Sequence, residues 1–181
     1  KERVAAVAKV LRSYRVLYAP SVTGDGAQSW TRARTAIEQG ATAIHLNLWC
    51  GLGTYVDVRR RIRVPLFFQK SGDRVWTSGA YAMDSPVLYQ LMALAGCDMG
   101  HIGMYGGYLS EDVSTLHQRI QAFAPGLPSF SCGMTPELAQ RIVHTFGSDV
   151  MVTSGGWIHS HAHGITEACH ALRRAVEAVS A

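Results

Sequence analysis

The stretch "LPSFSCGMTPELAQRIVHTFGSDVMVTSGG" (127–156) decides the fold class of this chain. A short apolar run lies near each end of the stretch, and a helical pattern over 135–147 lies between the two runs. Thr135 is well suited to cap the start of that helix, and Gly147 is well suited to end it. A strand, a single helix and a second strand in this order predict a βα unit of a parallel sheet.

The same alternation continues along the rest of the chain. Apolar runs that suit strands lie at 15–20, 42–48, 64–68, 98–103, 127–131 and 149–153. Helical patterns lie at 27–40, 84–96, 110–123, 135–147 and 164–179. Their ends agree with this assignment, because Ser110 opens one pattern and Gly40 and Gly96 close two others.

Six consecutive βα units fit a (β/α)8 TIM barrel, which is an α/β fold, better than a doubly wound sheet. A dinucleotide-binding sheet carries its glycine-rich turn after the first strand, whereas such turns come late in this chain. We therefore expect residues 1–181 to form one domain with about six of the eight βα units. An amphipathic helix over 1–12 would follow the second barrel strand, so the first two strands are expected upstream.

The composition excludes several classes of protein. Apolar residues make up 48% of the chain and charged residues 17%, which is typical of a folded domain and not of a disordered one. No apolar run reaches the roughly 20 residues that span a membrane. The net charge is +4, and its main cluster, "RRRIR" (59–63), is interpreted as the exposed end of an outer helix rather than a nucleic-acid site.

The cysteines indicate the redox environment. The chain has four, Cys50, Cys97, Cys132 and Cys169, with no C-x-x-C motif. Such wide spacing predicts free thiols in a reducing compartment, which means a cytoplasmic protein. Cys132 lies at a strand end where a nucleophile could act, but no base is adjacent in sequence. An inert thiol is therefore the favoured interpretation.

Glycine-rich turns follow the last two predicted strands. In barrels the chemistry lies at the carboxyl ends of the strands, and phosphate is commonly bound there by backbone N–H groups. The turns are "SCG" (131–133) and "SGG" (154–156), and "MYGGY" (104–108) precedes them. Glycine suits such turns because the backbone must approach the anion closely and often adopts positive φ. The sequence therefore predicts a phosphate site.

Three alternating histidines follow the second turn, at positions 159, 161 and 163. In an extended segment this spacing would place all three on one side, as in a zinc site. A glycine-rich loop need not stay extended, however, and no carboxylate or cysteine converges on it in sequence. Packing and hydrogen bonding are the favoured roles, and no metal ligand is expected in this segment.

Two long segments carry a resemblance to a known family. "AGCDMGHIGMYGGYLSED" (95–112) is similar to the sixth-strand segment and mobile loop of the RuBisCO large-chain family. The segment "LPSFSCGMTPELAQRIVHTFGSDVMVTSGGWIHSHAHG" (127–164) is similar to the last two strands of its catalytic barrel. The order, spacing and loop lengths agree from about residue 15 onward, and the RuBisCO-like members of the family are the best match.

The resemblance implies a role for individual residues. His101 matches a substrate-facing histidine, and Gly106 and Gly107 match the glycines that serve as the hinge of the mobile loop. The residues that match substrate- and phosphate-binding positions are Ser131, Gly133, Ser154, Gly155 and Gly156. Gln69 and Lys70 match the polar pair that ends the fifth barrel strand, and Lys70 could still contact a phosphate.

Two departures from the carboxylase pattern bear on the reaction. Tyr108 stands where a carboxylase has the loop lysine that stabilises the new carboxylate, and Gln69-Lys70 replaces a His-Arg pair. A phenol carries no positive charge at neutral pH, so carboxylation is not expected. His101, Tyr108 and Lys70 are the predicted catalytic residues.

The resemblance also implies a cofactor and a partner. The family binds Mg²⁺ through a carbamylated lysine and two nearby carboxylates, and no such motif occurs in this sequence, so these ligands are expected upstream of Lys1. An N-terminal domain, also expected upstream, closes the site of a partner subunit in this family. A homodimer or a higher homo-oligomer is therefore implied.

Three functions remain open from the sequence. The first is enolisation or proton transfer on a phosphorylated ketose, by an isomerase or enolase of the methionine-salvage type. The second is a decarboxylase or carbon–carbon lyase that acts on a phosphorylated branched-sugar acid. The third is a non-catalytic segment that needs another chain to complete the barrel. None of the three involves nucleic acid or a membrane.

Overall fold

The computed structural model describes residues 1–179, which contain five strands and a series of helices. The strands are β1 (Ile44–Asn47), β2 (Leu66–Gln69), β3 (Met99–Gly103), β4 (Leu127–Phe130) and β5 (Met151–Val152). The helices are α1 (Glu2–Leu11), α2 (Gly26–Glu38), α3 (Leu52–Arg61), α4 (Arg74–Thr77), α5 (Ser85–Leu94), α6 (Val113–Phe123), α7 (Pro136–Phe146), α8 (Gly156–Ser160) and α9 (Gly164–Glu177). A 3-10 turn, Leu48–Cys50, follows β1.

The strands form one sheet in the order of the chain, β1-β2-β3-β4-β5. The strand pairs β1–β2, β2–β3 and β4–β5 are parallel, with Ile44 opposite Leu66 and Ser129 opposite Met151. Parallel neighbours in chain order, separated by helices, are typical of consecutive βα units of a barrel. The predicted α/β barrel fold class is confirmed.

The residues cluster into two compact units. The first comprises 1–100 with 122–126, and the second comprises 101–121 with the residues from 127 onward. In the first unit, Phe68 makes edge contacts with the rings of Tyr55 and Tyr89 at 6.0 and 5.9 Å. The Tyr55 hydroxyl donates to the Leu46 carbonyl at 2.6 Å, so α3 is fixed to β1 through a satisfied polar group.

The core of the second unit lies between β4 and α7. Phe130 stacks on Phe146 at 4.7 Å, and Ala139 and Ile142 are fully buried on α7. The Thr135 hydroxyl accepts the Leu138 amide at 3.2 Å, as expected of a helix cap. Apolar residues on one face of a capped helix thus position the ends of β4 and β5.

The structure corrects one predicted helix start and adds one helix, α3. Ser110 does not open α6, because Asp112 accepts the Thr115 amide at 3.0 Å and caps the helix two residues later. The helix α3 was not predicted as such, yet it explains the basic cluster. Arg61 in its last turn pairs with Asp57 at 2.8 Å, which confirms that the cluster ends an outer helix.

The first predicted strand, 15–20, is not formed as a strand. Its backbone runs beside β1, where the Tyr18 carbonyl accepts the Ala43 amide at 3.0 Å and the Pro20 carbonyl accepts the His45 amide at 3.2 Å. Pairing reduces to one bridge, between Ser21 and His45. Pro20 has no N–H to donate, which limits the ladder at this point.

The structure also shows the state of the cysteines and the length of the apolar helices. All four cysteines are free thiols, as predicted. Over 1–179, no helix combines the length and the hydropathy that crossing a membrane requires.

Candidate functional site

The first unit places Gln69 and Lys70 at the carboxyl end of β2. Gln69 is the last residue of the strand and lies opposite Asn47 of β1. The Lys70 ammonium pairs with the Asp73 carboxylate at 3.1 Å, and both residues are buried, at 8% and 7% exposure. A buried ammonium needs a counter-charge, and Asp73, which sequence reasoning missed, supplies it. Lys70 is therefore a fixed and partly neutralised cation.

An exposed indole covers the turn that holds this ion pair. Gly72 has φ +84°, and a Cβ there would overlap the ring of Trp49. Trp49 itself is 61% exposed and follows β1 directly. Sequence reasoning did not single out Trp49, although the glycine two residues after Lys70 was a signal of close backbone packing.

The second unit contains the other predicted catalytic residues. His101 lies in the middle of β3 and is buried, with 9% exposure. Tyr108 lies in the loop that follows β3 and is 74% exposed. One predicted catalytic group of this unit is thus fixed in the sheet, and the other is on the surface of a loop.

The loop rests on the turn after β4. A Cβ at Gly107 would overlap the carbonyl oxygen of Cys132, so the two backbones touch. At the same contact, a Cβ at Gly133 would stand 3.1 Å from the Tyr108 ring. The neighbouring Cys132 side chain raises the pKa of the Tyr108 phenol above its usual value, chiefly as a hydrogen-bonding group. The structure thus brings together three predicted positions, Gly107, Tyr108 and Gly133.

The loop and the turn after β4 both contain residues with left-handed backbone where they touch. Gly106 has φ +68° and Gly133 has φ +69°, so glycine is required at each, as predicted for close-approach positions. Cys132 has φ +73° and is the one non-glycine residue in this region among 1–179. A side chain in that conformation is strained, and sequence reasoning had no signal for it beyond the missing glycine.

The turn after β5 is tied to the turn after β4. The Thr153 amide donates to the Phe130 carbonyl at 2.9 Å, and the Ser154 hydroxyl donates to the Met134 carbonyl at 3.0 Å. Ser154 thus has a structural hydrogen bond in addition to any contact with a ligand. The two glycine-rich turns are neighbours at the carboxyl ends of neighbouring strands.

The glycines of the second turn differ from the prediction in one respect. Gly155 has φ −82° and ψ −57°, and Gly156 begins α8, so neither adopts the positive φ that was expected. The expectation fails because the chain turns directly into a helix here. A Cβ at either position would meet no other atom within 4 Å, so both backbones are open to a ligand.

The alternating histidines do not form an extended row. His159 lies in α8, whereas His161 contacts Trp157 at 4.8 Å and His163 at 5.7 Å between ring centroids. The His163 amide also donates to Nδ1 of His161 at 3.3 Å. Ring packing and hydrogen bonding account for these contacts.

The described residues do not fit a magnesium site. No group of three or more His, Cys, Asp or Glu side chains in 1–179 could hold a metal ion. In the first unit Asp73 is already paired with Lys70, and in the second unit Glu111 is already paired with Arg119.

Comparison with curated proteins gives two informative relatives. The chain is 31% identical over 183 residues to a 2,3-diketo-5-methylthiopentyl-1-phosphate enolase of Exiguobacterium sibiricum, covering 92% of this chain and 45% of the relative. It is also 31% identical over 183 residues to an uncharacterised ribulose bisphosphate carboxylase-like protein of Bordetella bronchiseptica, covering 92% and 43%. The chain thus spans a little under half the length of these relatives.

Comparison with solved structures agrees with this result. A RuBisCO-like protein from Alicyclobacillus acidocaldarius superposes with a TM-score of 0.87 and 28% identity, covering 98% of this chain and 49% of that one. A RuBisCO from Pyrococcus horikoshii superposes with a TM-score of 0.88 at 19% identity, covering 98% and 47%, which supports the fold alone. No family profile matches the chain.

Proposed function

Because this chain belongs to the RuBisCO-like proteins of the RuBisCO large-chain family, we propose that it is part of an enolase. The substrate class is a phosphorylated ketose of the methionine-salvage type. The observation that carries the proposal is the contact of the loop with the turn after β4. At this contact Tyr108 lies beside Cys132 and Gly133. By the family resemblance, its neutral phenol stands where a carboxylase has a cationic lysine.

Phosphate binding is assigned to the glycine-rich turns. The amides of Gly155 and Gly156 hold the phosphate, and Ser131 and Gly133 contact it or the neighbouring substrate oxygens. Open space at the Cβ positions of both Gly155 and Gly156 supports this assignment, because an anion can approach those backbones closely. Ser154 contributes chiefly by its hydrogen bond to the Met134 carbonyl, which holds the second turn in place.

Enolisation requires a proton to leave the carbon next to a carbonyl group and negative charge to build up on the carbonyl oxygen. A phenol is neutral at neutral pH and can donate a hydrogen bond to that oxygen, and Cys132 shifts the pKa of Tyr108 further upward. His101 is assigned to the substrate-facing wall, where an imidazole can exchange a proton. Lys70 is assigned to an anionic substrate oxygen, with Asp73 fixing the position of the ammonium.

The carbon–carbon lyase is the weaker candidate on the same observations. A lyase needs a cation for the substrate carboxylate in addition to the groups that hold the phosphate, and Lys70, which faces Asp73 at 3.1 Å, is already assigned to another substrate oxygen. The enolase assignment needs no second anion site. The proposal also includes Mg²⁺ dependence, a homo-oligomeric assembly and the place of this chain as the C-terminal part of a barrel domain, which rest on family resemblance alone. It further includes a cytoplasmic location, which rests on the free cysteines.

The test uses the full-length protein and a diketo-alkyl phosphate in D₂O. Solvent deuterium that enters the recovered substrate at the carbon next to the carbonyl, with appearance of the enol in the NMR spectrum, is the expected result. Release of CO₂ from a branched-sugar acid phosphate would establish the lyase instead. If neither reaction occurs while the phosphate ester still binds, the proposal fails and the non-catalytic alternative stands.

A further inference from the structure

The side chain of Glu111 helps to hold together the two ends of the loop 104–110, Met104 and Glu111, which are here called the root of the loop. Oε2 of Glu111 accepts the Met104 amide at 2.9 Å, while the Glu111 amide donates to the Met104 carbonyl at 2.9 Å. Oε1 of Glu111 accepts Nη1 of Arg119 at 2.6 Å. The first residue after the loop is thereby joined to the first residue of the loop by backbone and side chain together.

Arg119 connects this root to the sheet. It lies on α6, is 7% exposed, and donates from the same Nη1 to the Ile102 carbonyl at 3.1 Å. Gly103 makes the connection possible, since a Cβ there would stand 2.6 Å from Glu111 Oε2 and would also overlap Leu116. The carboxylate therefore occupies space that any other residue at the end of β3 would fill.

The contacts of the loop beyond its root are fewer and more exposed. The Gly106 amide donates to the Ser110 hydroxyl at 3.1 Å, and Tyr108 meets Cys132 at the tip. Tyr108, Leu109 and Ser110 are all exposed. A largely buried, charge-assisted root and an exposed tip divide the segment into a fixed part and a part that can move.

Stability alone does not account for a buried ion pair at this place. Apolar residues of similar volume often stabilise a fold as well as a buried pair does, because both charges must lose their hydration. An apolar pair, however, could not accept the Met104 amide. What the ionic pair adds is a fixed geometry for the loop.

We propose that Glu111, held by Arg119, is a positioning residue that confines movement of the loop to residues 105–110. The root then acts as a fixed pivot, and each closure brings the Tyr108 phenol to the same place beside the 131–133 turn. The importance of that place for turnover rests on the proposed enolase function. The fixed root does not, and it can be measured without substrate.

The first experiment is hydrogen exchange on the full-length protein without substrate. The double variant Glu111→Leu/Arg119→Met removes both charges of this ion pair, so β4 should exchange at the wild-type rate. The amides of 104–111 should exchange about tenfold faster, as expected when a charge-assisted hydrogen bond is lost. The matched control is Glu167→Leu/Arg174→Met, which removes a pair of the same 2.6 Å length that is exposed on α9. The control should change neither segment.

A second variant covers the case in which the double variant does not fold. Glu111→Asp keeps the charge but shortens the side chain by one methylene, so it cannot reach the Met104 amide and Arg119 together. It should also accelerate exchange over 104–111. Wild-type exchange over 104–111 in a folded variant of either kind would overturn the proposal.

The enolase assay then separates this proposal from the proposed function. Glu111→Asp should lower kcat by up to about tenfold with little change in KM, and it should have almost no further effect in a Tyr108→Phe background. Additive effects in that cycle would refute positioning through Tyr108. A wild-type protein with no enolase activity but with the expected exchange pattern would refute the function and leave the fixed root standing.

Discussion

Gly107 lies directly against the carbonyl oxygen of Cys132, and a Cβ at Gly107 would overlap that oxygen. The contact joins the loop after β3 to the turn after β4 through backbone atoms, which cannot rotate away as a side chain can. The loop can therefore rest on the turn only if residue 107 is glycine.

This contact predicts the effect of Gly107→Ala. The added methyl should lift the loop from the turn and weaken phosphate-ester binding at least about tenfold, because the turn and Tyr108 lose their alignment. Isothermal titration with the full-length protein measures the affinity. Gly53→Ala is the control, because its Cβ lies in open space on α3 and should leave binding unchanged. Equal affinities in both variants would contradict the prediction.

The strained backbone at Cys132 predicts two effects of Cys132→Gly, one on the free energy of unfolding and one on the pKa of Tyr108. Cys132→Gly removes left-handed strain of about 1–2 kcal/mol against an entropy cost for glycine of about 0.5–1 kcal/mol. The free energy of unfolding should therefore rise slightly, which urea denaturation can measure.

The same substitution removes the hydrogen bond that raises the Tyr108 pKa. In Cys132→Gly the phenol should therefore ionise at lower pH than in the wild type, closer to its ordinary value. An NMR titration of labelled tyrosine follows this change. Cys132→Ser keeps a hydrogen-bonding side chain and is the matched variant. A Tyr108 titration that is identical in Cys132→Gly and in the wild type would rule out the contact.

Local elements of this fold were predictable, and contacts between elements were not. Thr135 caps α7 as predicted because the cap depends on residues within one turn. The first strand was misjudged because a Pro20 in an apolar run was given too little weight. The pairs Lys70–Asp73 and Glu111–Arg119 depend on burial, which a single sequence does not reveal.

The candidate site was predictable in position more than in detail. The glycine-rich turns were expected to approach an anion, and that stays a prediction; the structure shows that Gly133 lies against the loop, beside Gly107 and Tyr108. The expected positive φ at Gly155 was wrong, because the start of α8 determines its conformation instead. The left-handed conformation of Cys132 could not be predicted, because tertiary contacts maintain the strain and a single sequence does not reveal those contacts.

The buried pair of the first unit predicts a large effect on stability. Asp73→Asn removes the charge that the Lys70 ammonium faces at 3.1 Å and should lower the free energy of unfolding by about 3 kcal/mol. Urea denaturation measures the loss. Glu177→Gln is the control, because it breaks an exposed pair with Arg173 and should change stability by less than about 1 kcal/mol. A loss in Asp73→Asn no greater than in the control would show that burial does not strengthen the pair.

The open backbone at Gly155 makes phosphate binding testable without damage to the fold. Valine fits φ −82° and its Cβ would meet no other atom, so Gly155→Val should fold normally. Its side chain would occupy the space assigned to the phosphate, and affinity for inorganic phosphate should fall at least about tenfold. Ala162→Val, at an exposed position after α8, is the control. Unchanged phosphate affinity in a folded Gly155→Val protein would remove this turn from the site.

Tyr108→Phe tests the chemical role of the loop. The variant keeps the ring that packs beside Gly133 and loses only the hydroxyl, so closure of the loop should survive. Turnover of the full-length enzyme should fall by the equivalent of one hydrogen bond, about 0.5–1.5 kcal/mol, with little change in KM. Tyr108→Lys should not create carboxylation of ribulose bisphosphate, because Gln69-Lys70 also departs from the His-Arg pair and a lysine cannot hold a phosphate bidentately as an arginine does. Fixation of labelled CO₂ is the measurement. Incorporation by the wild-type protein would overturn this prediction, because it would mean that a phenol can replace the cation that stabilises the new carboxylate.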